Sequence, residues 1–112
     1  MTTNVAHILG SQIPASALRP DAREELAQWG GPALVKGKRV LDLGCGDGRF
    51  ALGIADLTRS VDGVDPDGEM IATANGRAQQ RGLRNARFKV GAAQSLPYDD
   101  GTFDVVISSW TL

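Results

Sequence analysis

The run Val40-Leu41-Asp42-Leu43-Gly44-Cys45-Gly46-Asp47-Gly48-Arg49-Phe50 decides how the chain is read. It joins a short apolar strand to a helix through three glycines at alternate positions, with an acid two residues ahead of the first. A glycine loop between strand and helix lets backbone approach a ligand closely and aims the helix N–H groups at it. Two common uses of such a loop do not fit. A dinucleotide site needs G-x-G-x-x-G, and Arg49 stands where the third glycine belongs. A phosphate-gripping P-loop ends in Gly-Lys-Ser/Thr, which is missing here. The carboxylate of Asp42 repels phosphate and attracts an ammonium or sulfonium, so D-x-G-x-G-x-G points to a ligand that is cationic at this end.

Outward from the loop, the pattern alternates between strand and helix. Arg39–Leu43 is the first strand, and the helix after the glycines runs over Arg49–Leu57 with Phe50, Ile54 and Leu57 on one side. Ser60–Asp65 is a second strand, and Pro66-Asp67-Gly68 turns it into a helix over Glu69–Arg81 that ends at Gly82. Asn75-Gly76 is expected to weaken that helix, by roughly 1 kcal/mol for the glycine. Ala86–Val90 is a third strand, with Phe88 and Val90 facing one way and Arg87 and Lys89 the other. A polar stretch over Gly91–Thr102 leads to a fourth strand, Phe103–Ser108. Upstream, Pro20-Asp21 opens a helix carrying Leu26 and Trp29, stopped by Gly30-Gly31-Pro32, after a loose lead-in with Ile8, Leu9 and Ile13. The alternation predicts an α/β fold with a parallel sheet. The domain division expected is a lead-in and helix over 1–34, then a ligand-binding unit over 35–112.

The second strand ends on Asp65, 21 residues after Gly44. That spacing suits a carboxylate accepting hydrogen bonds from the two hydroxyls of a ribose. A ribose at Asp65 and a cationic group at Asp42 describe a nucleoside bearing an amino acid. Simpler roles compete: Asp42 as a cap for loop N–H groups, and Asp65 as a helix N-cap.

Composition narrows the class. The 112 residues carry 12 basic and 13 acidic side chains, and this near-balance gives no overall electrostatic footprint for nucleic acid or an anionic membrane. One cysteine excludes an internal disulfide, and one histidine with it cannot make the usual zinc site, so no metal is expected. The start, Met1-Thr2-Thr3-Asn4, has no basic-then-apolar leader and no stretch is long enough to cross a bilayer, so a cytoplasmic location is expected. His7 has no assigned role, and Arg77, Arg81, Arg84, Arg87 and Lys89 read as a solvated basic face.

Three blocks, VLDLGCGDGRF, VDGVDPDGEMI and GAAQSLPYDDGTFDVVISSW, make the chain from about Val35 to Leu112 similar to the class I S-adenosylmethionine-dependent methyltransferases, in their small-molecule branch called methyltransferase type 11. The resemblance implies S-adenosylmethionine as cofactor and a donor site drawn from Asp42, Gly44, Cys45, Gly46, Gly48, Asp65, Pro66, Met70, Ala92, Ala93, Gln94 and Ser108. By that analogy the glycines surround the methionine part and Asp42 orients its ammonium. Asp65 then holds the ribose, Pro66 and Met70 flank the adenine, and the Ala93 backbone faces its edge. Ala92 stands where many relatives carry an adenine-reading aspartate, and Gln94 where glutamate is common. Cys45 reads as a small buried loop residue and Leu96-Pro97-Tyr98 as packing beneath the pocket. No general base is identifiable; the chemistry asks mainly for alignment of donor and acceptor.

The resemblance implies a Rossmann-like, doubly wound parallel sheet; the family sheet has seven strands ordered 3-2-1-4-5-7-6, and this chain is expected to carry the donor-binding half, truncated after the fourth strand and ordered 3-2-1-4. Val105-Val106-Ile107 is apolar on both faces, which is expected of a central strand and leaves an unprotected edge. With both crossover helices on one face, the other is expected to stay bare over an area on the order of 300 Å². A second copy or a partner chain is therefore expected to cover the fourth-strand edge. The implied activity is methyl transfer to a small-molecule acceptor. The alternative is a non-catalytic binding or assembly module completed by a partner chain. Ser109-Trp110-Thr111-Leu112 replaces the Asn/Asp-Pro-Pro-Tyr motif of amino-group methyltransferases that act on DNA bases or glutamine.

Overall fold

The computed structural model describes residues 22–92, 96, 98–99 and 101–108. Among them the elements run α1 (Ala22–Gln28), β1 (Arg39–Leu43), α2 (Arg49–Ile54), β2 (Ser60–Asp65), α3 (Gly68–Gln80), β3 (Ala86–Val90) and β4 (Val105–Ser108). The strands form one parallel sheet, as the pattern predicts, ordered β3-β2-β1-β4, as the resemblance implies. The lead-in, with Ile8, Leu9, Ile13, Pro20 and Asp21, lies outside the described residues.

Strand alternation sorts the apolar side chains onto two faces. Val40, Val61, Val105, Ile107, Ala86 and Phe88 face the helices, where Phe50, Ala51 and Ile54 of α2 and Ile71, Ala74 and Ala78 of α3 complete the main core. α1 joins this layer through Ala22 and Leu26. It comes so close to α2 that a Cβ on Gly53 would lie 2.3 Å from the Ala22 Cβ. The chain leaves α1 with the Gly31 N–H donating to the Leu26 carbonyl at 2.8 Å, and Gly30 and Gly31 both have positive φ.

The opposite face is not bare. Leu41 and Val64 are buried there beneath Phe103, with Leu43, Leu96, Tyr98 and Val106 packed around them. The Tyr98 and Phe103 rings meet edge-on at 4.8 Å, and the Tyr98 hydroxyl donates to Asp62 Oδ2 at 3.1 Å. Three large side chains thus replace a helix as cover, which corrects the expectation of a bare second face.

Three local expectations also change. α2 stops at Ile54 because the Ala55 carbonyl accepts from Asn85 Nδ2 at 2.7 Å and from Thr58 Oγ1 at 3.0 Å, drawing the chain into a turn before β2. β4 begins at Val105, not Phe103. Asp104 ahead of it accepts from the Arg39 backbone N–H at 2.9 Å and from its guanidinium at 3.0 and 3.1 Å. The helix expected through Asn75-Gly76 is present as α3, where Asn75 Nδ2 donates to the Phe88 carbonyl at 3.1 Å. Val90, at the end of an edge strand, is 58% exposed although Phe88 on the same side is buried. No helix of the described residues is long and apolar enough to cross a membrane.

Candidate functional site

Parallel strands deliver their carboxyl ends to one edge of the sheet, and the turns that follow carry the candidate residues. β1 and β2 are neighbours in register, Asp42 beside Gly63 and Leu43 beside Val64. Past this register the glycine loop stays bonded to the end of β2, so the loop and the β2–α3 turn lie side by side at the carboxyl end of the sheet. Ligands of open α/β sheets bind at that end.

The loop is shaped by backbone. Gly44, Gly46 and Gly48 have φ of 71°, 56° and 85°, the left-handed region that glycine enters at no steric cost. Gly44 and Cys45 both donate to the Val64 carbonyl, at 2.7 and 3.1 Å, which pins the loop to the end of β2. Gly48 packs tightly, since a Cβ there would lie 3.0 Å from Ala74 and 3.1 Å from Phe88. Gly46 has nothing within 4 Å of the corresponding position. Its open side is a backbone surface that a ligand can approach.

Two carboxylates lie at the same end of the sheet. Asp42 is fully buried in β1, in the row of Gly63, Phe88 and Ile107. Asp65 ends β2; its Oδ2 accepts from the Gly46 N–H and its Oδ1 from the Asp67 N–H, both at 2.9 Å. Each carboxylate oxygen has room for a second hydrogen bond, so Asp65 can still accept from a pair of hydroxyls. The helix cap is Asp67: its side chain accepts from Glu69 N at 2.9 Å and Met70 N at 3.3 Å. The simpler role considered for Asp65 is therefore filled by its neighbour.

Around Asp65 the surface turns apolar. Pro66 is exposed, Met70 is 43% exposed, and Val90 lies against Gly68, where a Cβ would be 3.9 Å from its Cγ2. Met70 and Val90 are the exposed large hydrophobics among the described residues. The Gly91 N–H donates to the Asp65 carbonyl at 3.1 Å, which brings Ala92 beside this turn. Ser108 closes β4 half-buried, level with Leu43. Ala93 and Gln94 lie outside the described residues.

Cys45 is buried, and a Cβ on Gly63 would fall 2.7 Å from its sulfur. Burial first, and then the charges of Asp42 and Asp65, push its thiol far above the ordinary range. The sulfur stays protonated at neutral pH and is no nucleophile. Tyr98 is likewise pushed up, by burial and then by Asp62, and its hydroxyl works in packing the second face.

The structure brings Asp42, Gly44, Cys45, Gly46, Gly48, Asp65, Pro66, Met70 and Ala92 to one edge. It adds residues that spacing did not reveal. Arg77, read as solvated, pairs with Asp47 of the loop at 2.8 Å. It stands seven residues after Met70, two helical turns, and that periodicity was the available signal. Arg49 pairs with Glu25 of α1 at 2.7 Å, a contact with no local sequence signature. Groups of three or more potential metal ligands are absent among the described residues.

Comparison with known proteins agrees with this architecture. Residues 40–112 match the family described as Methyltransferase domain, and the chain belongs to that family. Over 68 residues it is 43% identical to the uncharacterized methyltransferase YcgJ of Bacillus subtilis, covering 61% of this chain and 27% of that one. It is 35% identical to norajmaline N-methyltransferase of Rauvolfia serpentina over 105 residues, 92% of this chain and 36% of the relative. A 23S rRNA (uracil(1939)-C(5))-methyltransferase of Xanthomonas oryzae is 50% identical over 50 residues, 45% of this chain and 11% of its own. The crystal structure of a SAM-dependent methyltransferase from Aquifex aeolicus superimposes with a TM-score of 0.68 at 25% identity, covering 79% of this chain and 47% of that one. The chain thus spans well under half the length of the curated relatives it matches.

Proposed function

We propose that this chain binds S-adenosylmethionine at the edge between β1 and β2 and carries the donor side of a methyl transfer to a small-molecule acceptor. The observation that carries this is the open backbone at Gly46, bonded to Asp65, which is itself held on two N–H groups, with Asp42 buried two residues ahead of the loop. Those residues fit the cofactor. A backbone cradle accepts the amino-acid part at Gly44, Gly46 and Gly48, and a buried carboxylate at Asp42 complements an ammonium. Asp65, with one lone pair free on each oxygen, suits a vicinal diol. Pro66, Met70 and Ala92 offer an apolar border for a flat aromatic ring, with Ala93, Gln94 and Ser108 assigned to the same site.

When bound, the cofactor supplies an activated methyl group on a sulfonium. The chain's own residues bind and orient: the clustered acids favour a cationic ligand, and the buried thiol of Cys45 stays out of the chemistry as a protonated packing group. The norajmaline relative supports a small-molecule acceptor, and the near-neutral charge supports it over nucleic acid, although an rRNA methyltransferase is also among the relatives. β4 carries no charged residue on its outer edge, and we assign that edge to a second copy or a partner chain.

Calorimetric titration with S-adenosylhomocysteine, with NADH as control, tests the donor site. Saturable binding of the first alone, with Kd in the range of about 1 to 100 μM, is expected. Absence of binding to a folded chain would favour the assembly-module alternative. Sedimentation velocity tests the edge: association is expected, and a monodisperse monomer would refute it.

A further inference from the structure

Two ion pairs straddle Gly48. On one side Asp47 Oδ2 accepts from Arg77 of α3 at 2.8 Å, while its Oδ1 accepts from the Arg49 N–H at 3.2 Å. On the other, the Arg49 guanidinium donates to Glu25 Oε2 of α1 at 2.7 Å. Glu25 is only 4% exposed, and α1 lies ahead of the family-matched residues 40–112. We infer that Glu25 and Arg77 are positioning residues, which hold the glycine loop from two sides through Arg49 and Asp47.

The physical need is clear from the loop itself. Left-handed glycines at 44, 46 and 48 have wide conformational freedom, and each costs entropy when a ligand orders it. A loop ordered beforehand binds with a smaller penalty. Hydrogen bonds to Val64 and Asp65 tie the first half of the loop to β2. The second half, Asp47 to Arg49, is tied instead by charge to α3 and α1. A nearly buried carboxylate such as Glu25 is costly unless paired, so α1 and the start of α2 are locked in register. The more exposed Asp47–Arg77 pair is the weaker clasp. Neither Glu25 nor Arg77 needs to touch a ligand to act in this way.

The ligand arm of the test rests on the donor-site proposal; the exchange arm does not. In the ligand-free chain, amide exchange at Gly48 and Leu52 is compared with that at Val61 in β2, for the wild type and for Glu25→Gln, Arg77→Met and Arg77→Lys. Glu25→Gln is expected to speed loop exchange about tenfold and Arg77→Met about threefold, with Val61 unchanged. Affinity for S-adenosylhomocysteine is expected to fall by similar factors, and Arg77→Lys to recover most of the loss because it keeps the charge. Unchanged loop exchange in Glu25→Gln and Arg77→Met overturns the inference. Should Glu25→Gln lose protection at Val61 as well, the fold itself has failed, and Arg77→Met against Arg77→Lys decides. A wild-type chain that binds no S-adenosylhomocysteine refutes the donor site, while loop exchange still decides the clasp.

Discussion

The two ends of the sheet use the same residue types for opposite purposes. At the amino end, Asp104 accepts three hydrogen bonds from Arg39, and its charge is consumed in joining β1 to β4. At the carboxyl end, Asp65 rests on backbone N–H groups of Gly46 and Asp67, which orient the carboxylate without neutralising it. Glycine divides in the same manner. Gly63 is enclosed: a Cβ there would sit 2.5 Å from Phe88 and 2.7 Å from Cys45, so the main core requires it. Gly46 is open, and its value lies in the backbone it leaves accessible. The amino end is built for cohesion, the carboxyl end is the one proposed to receive a ligand, and substitutions should separate them.

The largest effect is expected from Gly63→Ala, which should cost about 3 kcal/mol by overpacking, measured as a shift of the denaturant midpoint. A variant as stable as the wild type would show that β2 and β3 can part here. Next, Asp65→Ala should weaken S-adenosylhomocysteine binding by about thirtyfold while moving stability far less than Gly63→Ala does. An equal loss of stability would erase the distinction between the ends.

Asp104→Asn sharpens the comparison through pH. The hydrogen bonds from the Arg39 side chain, and then from its backbone, lower the Asp104 carboxyl from 3.8 to about 2. Because the folded-state value is the lower one, the pair stabilises fully above the unfolded value of 3.8 and fades as pH falls toward about 2. Acid titration of stability should thus be less steep over that window in Asp104→Asn than in the wild type, and identical profiles would refute the assignment. The smallest effect concerns Gly76→Ala in α3. With open space around it and no positive φ, the variant should gain about 0.5 to 1 kcal/mol, read from a thermal melt, with ligand affinity unchanged.

Much of this was legible in the sequence because it depends on local chemistry. The limits of β1, β2 and β3 follow from apolar runs between turn residues, and the structure reproduces them at Arg39–Leu43, Ser60–Asp65 and Ala86–Val90. The glycine loop is legible because left-handed backbone demands glycine. What stayed hidden depends on neighbours distant in the chain. α2 is shortened by Asn85, thirty positions away from Ala55, and no periodicity within the helix reports that. Val90 looks like a core residue by alternation, yet it ends an edge strand. Phe103 reads as strand, but Asp104 binds Arg39 and releases Phe103 to cover the second face.

By itself the sequence determined the strand–helix alternation, the acid–glycine loop and the family, since each is a short-range pattern in which particular residues are physically required. The tertiary structure decided what each charge is for. Asp47, Asp62, Asp65, Asp67 and Asp104 are one letter in the sequence, and only packing assigns them to a loop clasp, a tyrosine, a receptive edge, a helix cap and a strand junction. Their partners arrive from other elements of the fold, or from backbone whose direction the turns set, and electrostatic roles follow distance in space and not separation along the chain.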